Sequence, residues 1–184
     1  MRTDEELMVA VSDGEFEAFE ELVRRYQKLA VSIAYNLLDD SSAAEEVAQE
    51  AFLKILRNAE DYSPSAAFKT YLGRVVSRLC YDRTDKNRPA NLDPVDQGEF
   101  RPENPTQEDP LDRLIDDERK QKIRNGLDEL TDRQRTAIVL QTFEDFTYEE
   151  IAGAMDTTKK SVERLLARAR ETLQEYLADK VEVR

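Results

Sequence analysis

Apolar residues recur at three- and four-residue intervals along most of the chain, broken by clusters of acids, hydroxyls, glycine and proline. Between Glu15 and Leu37, Phe16, Phe19, Leu22, Val23, Tyr26, Leu29, Ile33 and Leu37 mark the stripe of a long helix, and Asp13-Gly14 suits its start. A shorter helix over Asp4–Val11 precedes it. Asp39-Asp40-Ser41-Ser42 breaks the pattern and offers N-caps to a helix over Ala43–Asn58. That helix has an apolar face of Val47, Ala48, Ala51, Phe52, Ile55 and Leu56, and another face bearing Glu46, Gln49, Glu50 and an unexpectedly outward Leu53. Ser63-Pro64-Ser65 reads as a loop. The next helix, over Ala66–Thr84, places Phe68, Leu72, Val75, Val76 and Leu79 inward. Tyr71, Arg74, Arg78 and Tyr81 lie roughly 120° round its axis.

From Arg88 to Pro110 the chain holds five prolines, many acids and no apolar period, the composition of a linker. Helical spacing returns over 112–178. Thr131-x-x-Gln134 and Thr147-x-x-Glu150 are capping boxes, predicting helices over Asp132–Glu144 and Tyr148–Met155. Asp156-Thr157-Thr158 makes a tight turn into a last helix, Lys159–Ala178, with Val162, Leu165, Leu166, Ala169, Leu173 and Leu177 inward. A short helix, a tight turn and a longer basic helix spell helix-turn-helix, and Ala152 is small where its two helices cross.

Composition narrows the function classes. The 184 residues suit one medium domain or two small ones, and 36% charge with 5 glycines and no Trp favours helices. No stretch approaches the ~18 apolar residues of a membrane span. The start, Met1-Arg2-Thr3-Asp4-Glu5-Glu6, is acidic where a signal peptide is basic, so the expected location is the cytoplasm, without membrane contact. Cys80 is the single cysteine and His is absent, which rules out an internal disulfide and argues against a zinc site or imidazole acid–base chemistry. The expectation is a binding protein rather than an enzyme, with no cofactor and no metal.

Net charge is −13, yet it is unevenly placed. Residues 1–61 carry 15 acids against 6 bases, and 91–118 carry 10 against 2. Residues 69–88 hold 6 bases and 2 acids, and 157–170 hold 5 and 1. Two cationic islands in an anionic chain predict weak free DNA binding and local docking once delivered. In the second island, Lys159, Lys160, Ser161 and Arg164 line the start of a recognition helix, where major-groove contacts form, and Arg168 and Arg170 suit phosphates. The plainer reading is a solvated basic face. In the first island, Lys69, Arg74, Arg78, Arg83, Lys86 and Arg88 lie among Tyr62, Phe68, Tyr71 and Tyr81. Cations along a backbone beside stacking rings are what single-stranded DNA requires, although Phe68 fits a core position better. A third face, Glu45, Glu46, Gln49, Glu50 and Leu53 beside Asp39 and Asp40, reads as a protein-docking surface or simply as a solvated helix.

In order and spacing these segments resemble extracytoplasmic-function sigma factors over nearly the whole chain. The likeness runs from Asp13-Gly14-Glu15-Phe16-Glu17-Ala18-Phe19 through Tyr26, then through Ala43–Leu53 and Phe68-Lys69-Thr70-Tyr71-Leu72. It ends with Leu127-x-x-Leu130-Thr131-x-Arg133-Gln134-Arg135 and the helix-turn-helix closing on Ala167-Arg168-Ala169-Arg170. The resemblance implies an all-α fold of two small helical domains: a region 2 domain over 1–88, an acidic linker over 89–111 and a region 4 domain over 112–184. It implies RNA polymerase core as partner, through the β′ clamp and β flap, with Asp39, Asp40, Glu45, Glu46, Gln49, Glu50 and Leu53 on the clamp. It implies melted −10 DNA on Tyr62, Lys69, Tyr71, Arg74, Arg78 and Arg83. It implies duplex −35 DNA on Arg133, Thr158, Lys159, Lys160, Ser161, Arg164 and Arg168, and control by an anti-sigma factor. Tyr71 stands where the family usually has Trp, Asp156 where it has a turn Gly, and Glu163-Arg164-Leu165 where it has Lys-Ser-Arg. Alternatives are a sigma-like decoy for an anti-sigma factor and a stand-alone helix-turn-helix regulator.

Overall fold

The computed structural model describes residues 2–62, 67–85 and 121–181. The linker 89–111, the Ser63-Pro64-Ser65 loop, Lys86 and Arg88 lie outside them. Among the described residues every regular element is helical: α1 (Asp4–Ser12), α2 (Phe16–Leu38), α3 (Ser41–Arg57), a 3₁₀ turn (Ala59–Asp61), α4 (Phe68–Asp85), α5 (121–128), α6 (Asp132–Ile138) with a π-helical extension (Val139–Phe143), α7 (Tyr148–Ala154) and α8 (Lys159–Val181).

Local chemistry sets the helix starts. Thr131 Oγ1 accepts from the Gln134 amide at 3.3 Å while the Gln134 side chain accepts from the Thr131 amide at 2.7 Å. Thr147 and Glu150 repeat the exchange at 3.2 and 2.7 Å. A third such box, Thr3 with Glu6, opens α1. Asp40 caps α3 by accepting from the Ala43 amide at 2.9 Å, and Asp39 ends α2 in the left-handed region at φ 52°. Asp156 takes the same region in the helix-turn-helix turn, at φ 50°, as a short side chain able to satisfy itself locally can.

The first four helices bury Met8, Leu22, Ile33, Val47, Ile55, Phe68, Leu72 and Val76 in one core. Cys80 packs into it, and burial pushes its thiol up to about 12. The later helices bury Ile138, Leu140, Ile151, Val162, Leu165 and Leu166. Ala152 is buried at the helix crossing as its size requires.

Three expectations need correction. Phe16 is 58% exposed, because at the first turn of α2 its ring lies against Phe19, 6.1 Å between centroids, rather than under a neighbouring helix. Leu177 is 52% exposed. Gly126 of α5 packs on Leu173 and Tyr176, and Leu177 falls beyond that cover. The helix over Asp132–Glu144 is not uniformly α: from Val139 it winds as a π turn, with Val139 and Leu140 both fully buried. A wider turn takes more residues, so the adjacent apolar run Ile138-Val139-Leu140 meets the core together.

The two sets of helices also pack on one another. α4 lies against α7, and α2 lies against the π turn. Around the second contact a cleft of about 560 Å³ is lined by Tyr35, Asp39, Arg124, Leu127, Arg135 and Phe143 among others.

Candidate nucleic-acid interface

Three faces assemble from the sequence-predicted residues. On α3, Glu45, Glu46, Gln49 and Glu50 are exposed, and Leu53 is 48% exposed among them. Helical periodicity explains the grouping, since Val47, Ala48, Ala51 and Ile55 take the opposite side into the core. Asp39 and Asp40 sit at the α2–α3 turn, where Asp40 is occupied as a cap. The Asp39 carboxylate accepts from Arg124 Nε of α5 at 2.7 Å.

The second face is α4 and the turn before it. Phe68 is buried, 5.0 Å from Tyr26 between ring centroids, and is a core residue rather than a stacking platform. Tyr62 and Tyr71 stand 5.4 Å apart as a tilted pair, and burial together with nearby Glu5 and Asp4 pushes the Tyr62 phenol up. Tyr62 Oη is buried without a hydrogen-bond partner. Arg78 is exposed, and Arg83 is exposed beside Glu46. Lys69 and Arg74 point elsewhere. Lys69 Nζ donates to the Glu144 carbonyl at 2.8 Å and the Asp145 carbonyl at 3.2 Å, and stands 4.2 Å over the Phe146 ring. Arg74 donates through Nε and Nη2 to the Gly153 carbonyl at 3.0 and 2.6 Å, with Asp156 at 3.4 Å. Tyr81 Oη donates to the Asp132 carbonyl at 3.1 Å and also bonds Thr136 Oγ1. Burial pushes this phenol up to about 12. The sequence marks these side chains but not their partners, most of which are main-chain oxygens that leave no trace in residue type.

The third face is the start of α8. Thr158 Oγ1 accepts from the Ser161 amide at 3.2 Å, starting the helix. Lys160, Glu163, Arg164, Ala167 and Arg168 are exposed on one side, while Val162, Leu165, Leu166 and Ala169 are buried on the other. Lys159 is paired with Glu149, a bond that raises the lysine and lowers the carboxylate from their ordinary values. Arg133 stands apart from this face: it is half-buried on α6, close enough to Tyr81 for its charge to oppose the burial effect on the phenol. Charge, exposure and helix placement at α8 suit a groove; Tyr62 and Tyr71 with Arg78 and Arg83 are the rings and cations that suit a single strand.

The Sigma-70 region 2 family model matches residues 22–89, and the Sigma-70, region 4 model matches 120–173. The chain is similar to the RNA polymerase sigma-H factor of Pseudomonas aeruginosa, at 29% identity over 95% of this chain and 93% of the relative. It is similar to the ECF RNA polymerase sigma-E factor of Escherichia coli K12, at 29% over 93% and 92%. It is similar to the ECF RNA polymerase sigma factor SigW of Bacillus subtilis, at 27% over 92% and 94%. Among solved structures, CnrH in complex with the cytosolic domain of CnrY shares the fold at a TM-score of 0.71, with 21% identity over 94% of this chain and 96% of that one. The sigma factor RpoE, in complex with the anti-sigma factor NepR from Bartonella quintana, shares it at 0.63, with 18% identity over 87% and 96%.

Proposed function

Since the chain belongs to the sigma-70 family, in its extracytoplasmic-function branch, we propose that it delivers RNA polymerase core to specific promoters and helps open the −10 element. The observation that carries this reading is that matches to both regions, 22–89 and 120–173, lie in order on the two helical units of one chain. A protein-docking face, a single-strand face and a duplex-reading helix are therefore joined covalently.

In this reading the first domain spans 1–88, the linker 89–111 and the second domain 112–184. The acids Glu45, Glu46 and Glu50, with the amide Gln49, surround Leu53 as a polar rim surrounds an apolar anchor, and this face meets the polymerase clamp with Asp39 and Asp40 at its edge. Tyr62 and Tyr71 stack on extruded −10 bases, each stack worth ~1–3 kcal/mol against an unstacking cost of a few. Lys69, Arg74, Arg78 and Arg83 hold that strand's phosphates. Lys160, Ser161 and Arg164 address base edges of the −35 duplex, with Thr158, Lys159 and Arg168 on its backbone and Arg133 behind them. Glu163 opposes phosphates but accepts from a cytosine amine, so it selects as well as repels.

The chain works in the cytoplasm as a binding protein, leaving bond-making to the polymerase, and its activity is held in check by an anti-sigma protein. The experiment is run-off transcription with core polymerase from the native host on a genomic template pool. Discrete transcripts that require this chain support the reading, and transcripts identical to those of core alone refute it.

A further inference from the structure

Helix α1 lies before the residues that the region 2 family model matches, yet it packs on α2 and on the 3₁₀ turn that ends at Tyr62. Most of its side chains have a structural task. Leu7, Met8 and Val11 are buried, and Glu6 closes the capping box with Thr3. The Asp4 carboxylate fastens α1 to α2: Oδ1 accepts from Arg25 Nη1 at 2.7 Å, and Oδ2 accepts from the Tyr26 hydroxyl. Glu5 has no such task. It is half-buried, and its carboxylate has neither a hydrogen bond nor an ion pair among the described residues. An acid in the first turn suits the helix dipole, but Asp4 and Glu6 already meet that need.

The surroundings of Glu5 give it a use. The Tyr62 hydroxyl is buried without a partner, and the Tyr62 ring stands 5.4 Å from that of Tyr71. Burial is the main cause that raises the Tyr62 phenol, and Glu5 exerts the largest charge effect on it, ahead of Asp4. An unused donor and an unused acceptor therefore lie beside the ring pair without bonding to each other. Leaving a buried hydroxyl and a half-buried carboxylate unmatched is unfavourable, and an acid beside a strand also opposes its phosphates. The edge of a stacked, unpaired base satisfies both groups, because that edge is open to hydrogen bonding. A carboxylate can only accept. An exocyclic amine offers it an N–H, whereas a carbonyl at the same ring position turns a lone pair towards it.

We propose that Glu5, with the Tyr62 hydroxyl, selects a base bearing an exocyclic amine at the position stacked on Tyr62 and Tyr71, and disfavours thymine there. This rests on the assignment of those two rings to the −10 strand. Helix α1 is thereby a specificity element of the melting face as well as a brace for α2. Cytosine against uracil is the sharpest comparison, since the two differ only in the amine or carbonyl and the adjoining ring nitrogen.

The test uses holoenzyme assembled from the full chain and core polymerase of the native host, with core alone as the reference. Two fluorescein-labelled single-stranded oligothymidylates, identical except for one central dC or one central dU, are compared by anisotropy. The parent should prefer the dC strand about tenfold, within what one specific base contact contributes. Glu5→Gln presents a donor as well as an acceptor, and should bring the two affinities together by tightening the dU strand. Tyr62→Phe keeps the ring and should narrow the gap without releasing the dU strand. Glu17→Gln, at an exposed acid of α2 outside the site, should keep the preference. A parent that binds both strands equally overturns the proposal, and so does a preference that survives Glu5→Gln. Should Glu5→Gln lose core association, Tyr62→Phe carries the test, and an unaltered preference there overturns the proposal. If neither parent nor Glu5→Gln holoenzyme binds either strand more tightly than core alone, the assignment of Tyr62 and Tyr71 to single-stranded DNA fails, and selection by Glu5 with it.

Discussion

Arg83 Nη2 of α4 donates to Glu46 Oε2 of α3 at 2.5 Å, so a cation assigned to DNA is joined to an acid assigned to the polymerase. The side chains are 42% and 60% exposed, and an ion pair so solvated contributes little to stability. Arg83→Ala should therefore leave the melting temperature almost unchanged. It should weaken single-strand binding and reduce the dependence of log K on log salt by about 0.7, one phosphate contact fewer. Anisotropy titrations across a salt series measure both, and an unaltered slope would remove Arg83 from the DNA face.

Leu53 is the apolar centre of an acidic surface, and truncating such an anchor typically costs at least ~1 kcal/mol of binding, or about fivefold. Leu53→Ala should weaken core association by that factor, and Glu50→Lys should weaken it further by reversing a rim charge. Both positions are exposed, so far-UV circular dichroism should not change. Competition binding to core polymerase checks the ranking. Parent-like affinity for both variants would move the docking face elsewhere.

At the opposite end of the chain, Arg164 is exposed on α8 over a fully buried row of Val162, Leu165 and Leu166. Arg164→Ala should cost ~1–3 kcal/mol of specific −35 affinity while leaving core binding intact. Glu163→Gln should strengthen duplex binding and relax the preference for cytosine at one position. Selection from a randomised −35 pool reads both effects. Loss of core binding along with −35 use would mark misfolding instead.

The alkaline limit of stability has a structural source. Tyr81 is held with its phenol pushed up to about 12 from an ordinary 10.0, burial being the main cause. In the unfolded chain the phenol ionises near its ordinary value, so the favourable contribution is complete below pH 10 and disappears as pH rises towards 12. For a half-buried ring the loss is on the order of 1–2 kcal/mol. Cys80 acts in the same direction. Urea unfolding near pH 8 and near pH 11 should show the parent losing more stability than Tyr81→Phe. Equal losses would mean that Tyr81 is not the titrating group.

What could be read from the residues alone was whatever is encoded locally. The capping boxes at Thr131 and Thr147 form as spelled, because a hydroxyl and a carboxyl or amide three residues apart suffice. The outward Leu53 follows from periodicity, and the turn at Asp156 from its residue type. Phe16 and Leu177 obey the same periodicity yet are exposed, since a stripe shows which way a residue faces but not how far the covering helix extends. The π turn at Val139 was hidden because a run of apolar residues fits either winding. The α4–α7 contact was invisible for a different reason. Arg74 and Lys69 announce a partner rich in oxygen, and the carbonyls of Gly153 and Glu144 that supply it belong to the backbone, which every residue shares.

Promoter delivery depends first on physical association with polymerase. Equilibrium titration of the fluorescently labelled chain with core polymerase from its native host measures this directly. Saturable binding that is weakened by Glu50→Lys and unaffected by Arg164→Ala is the predicted result. No saturable binding at micromolar core, from a chain whose circular dichroism shows it folded, would contradict the assignment.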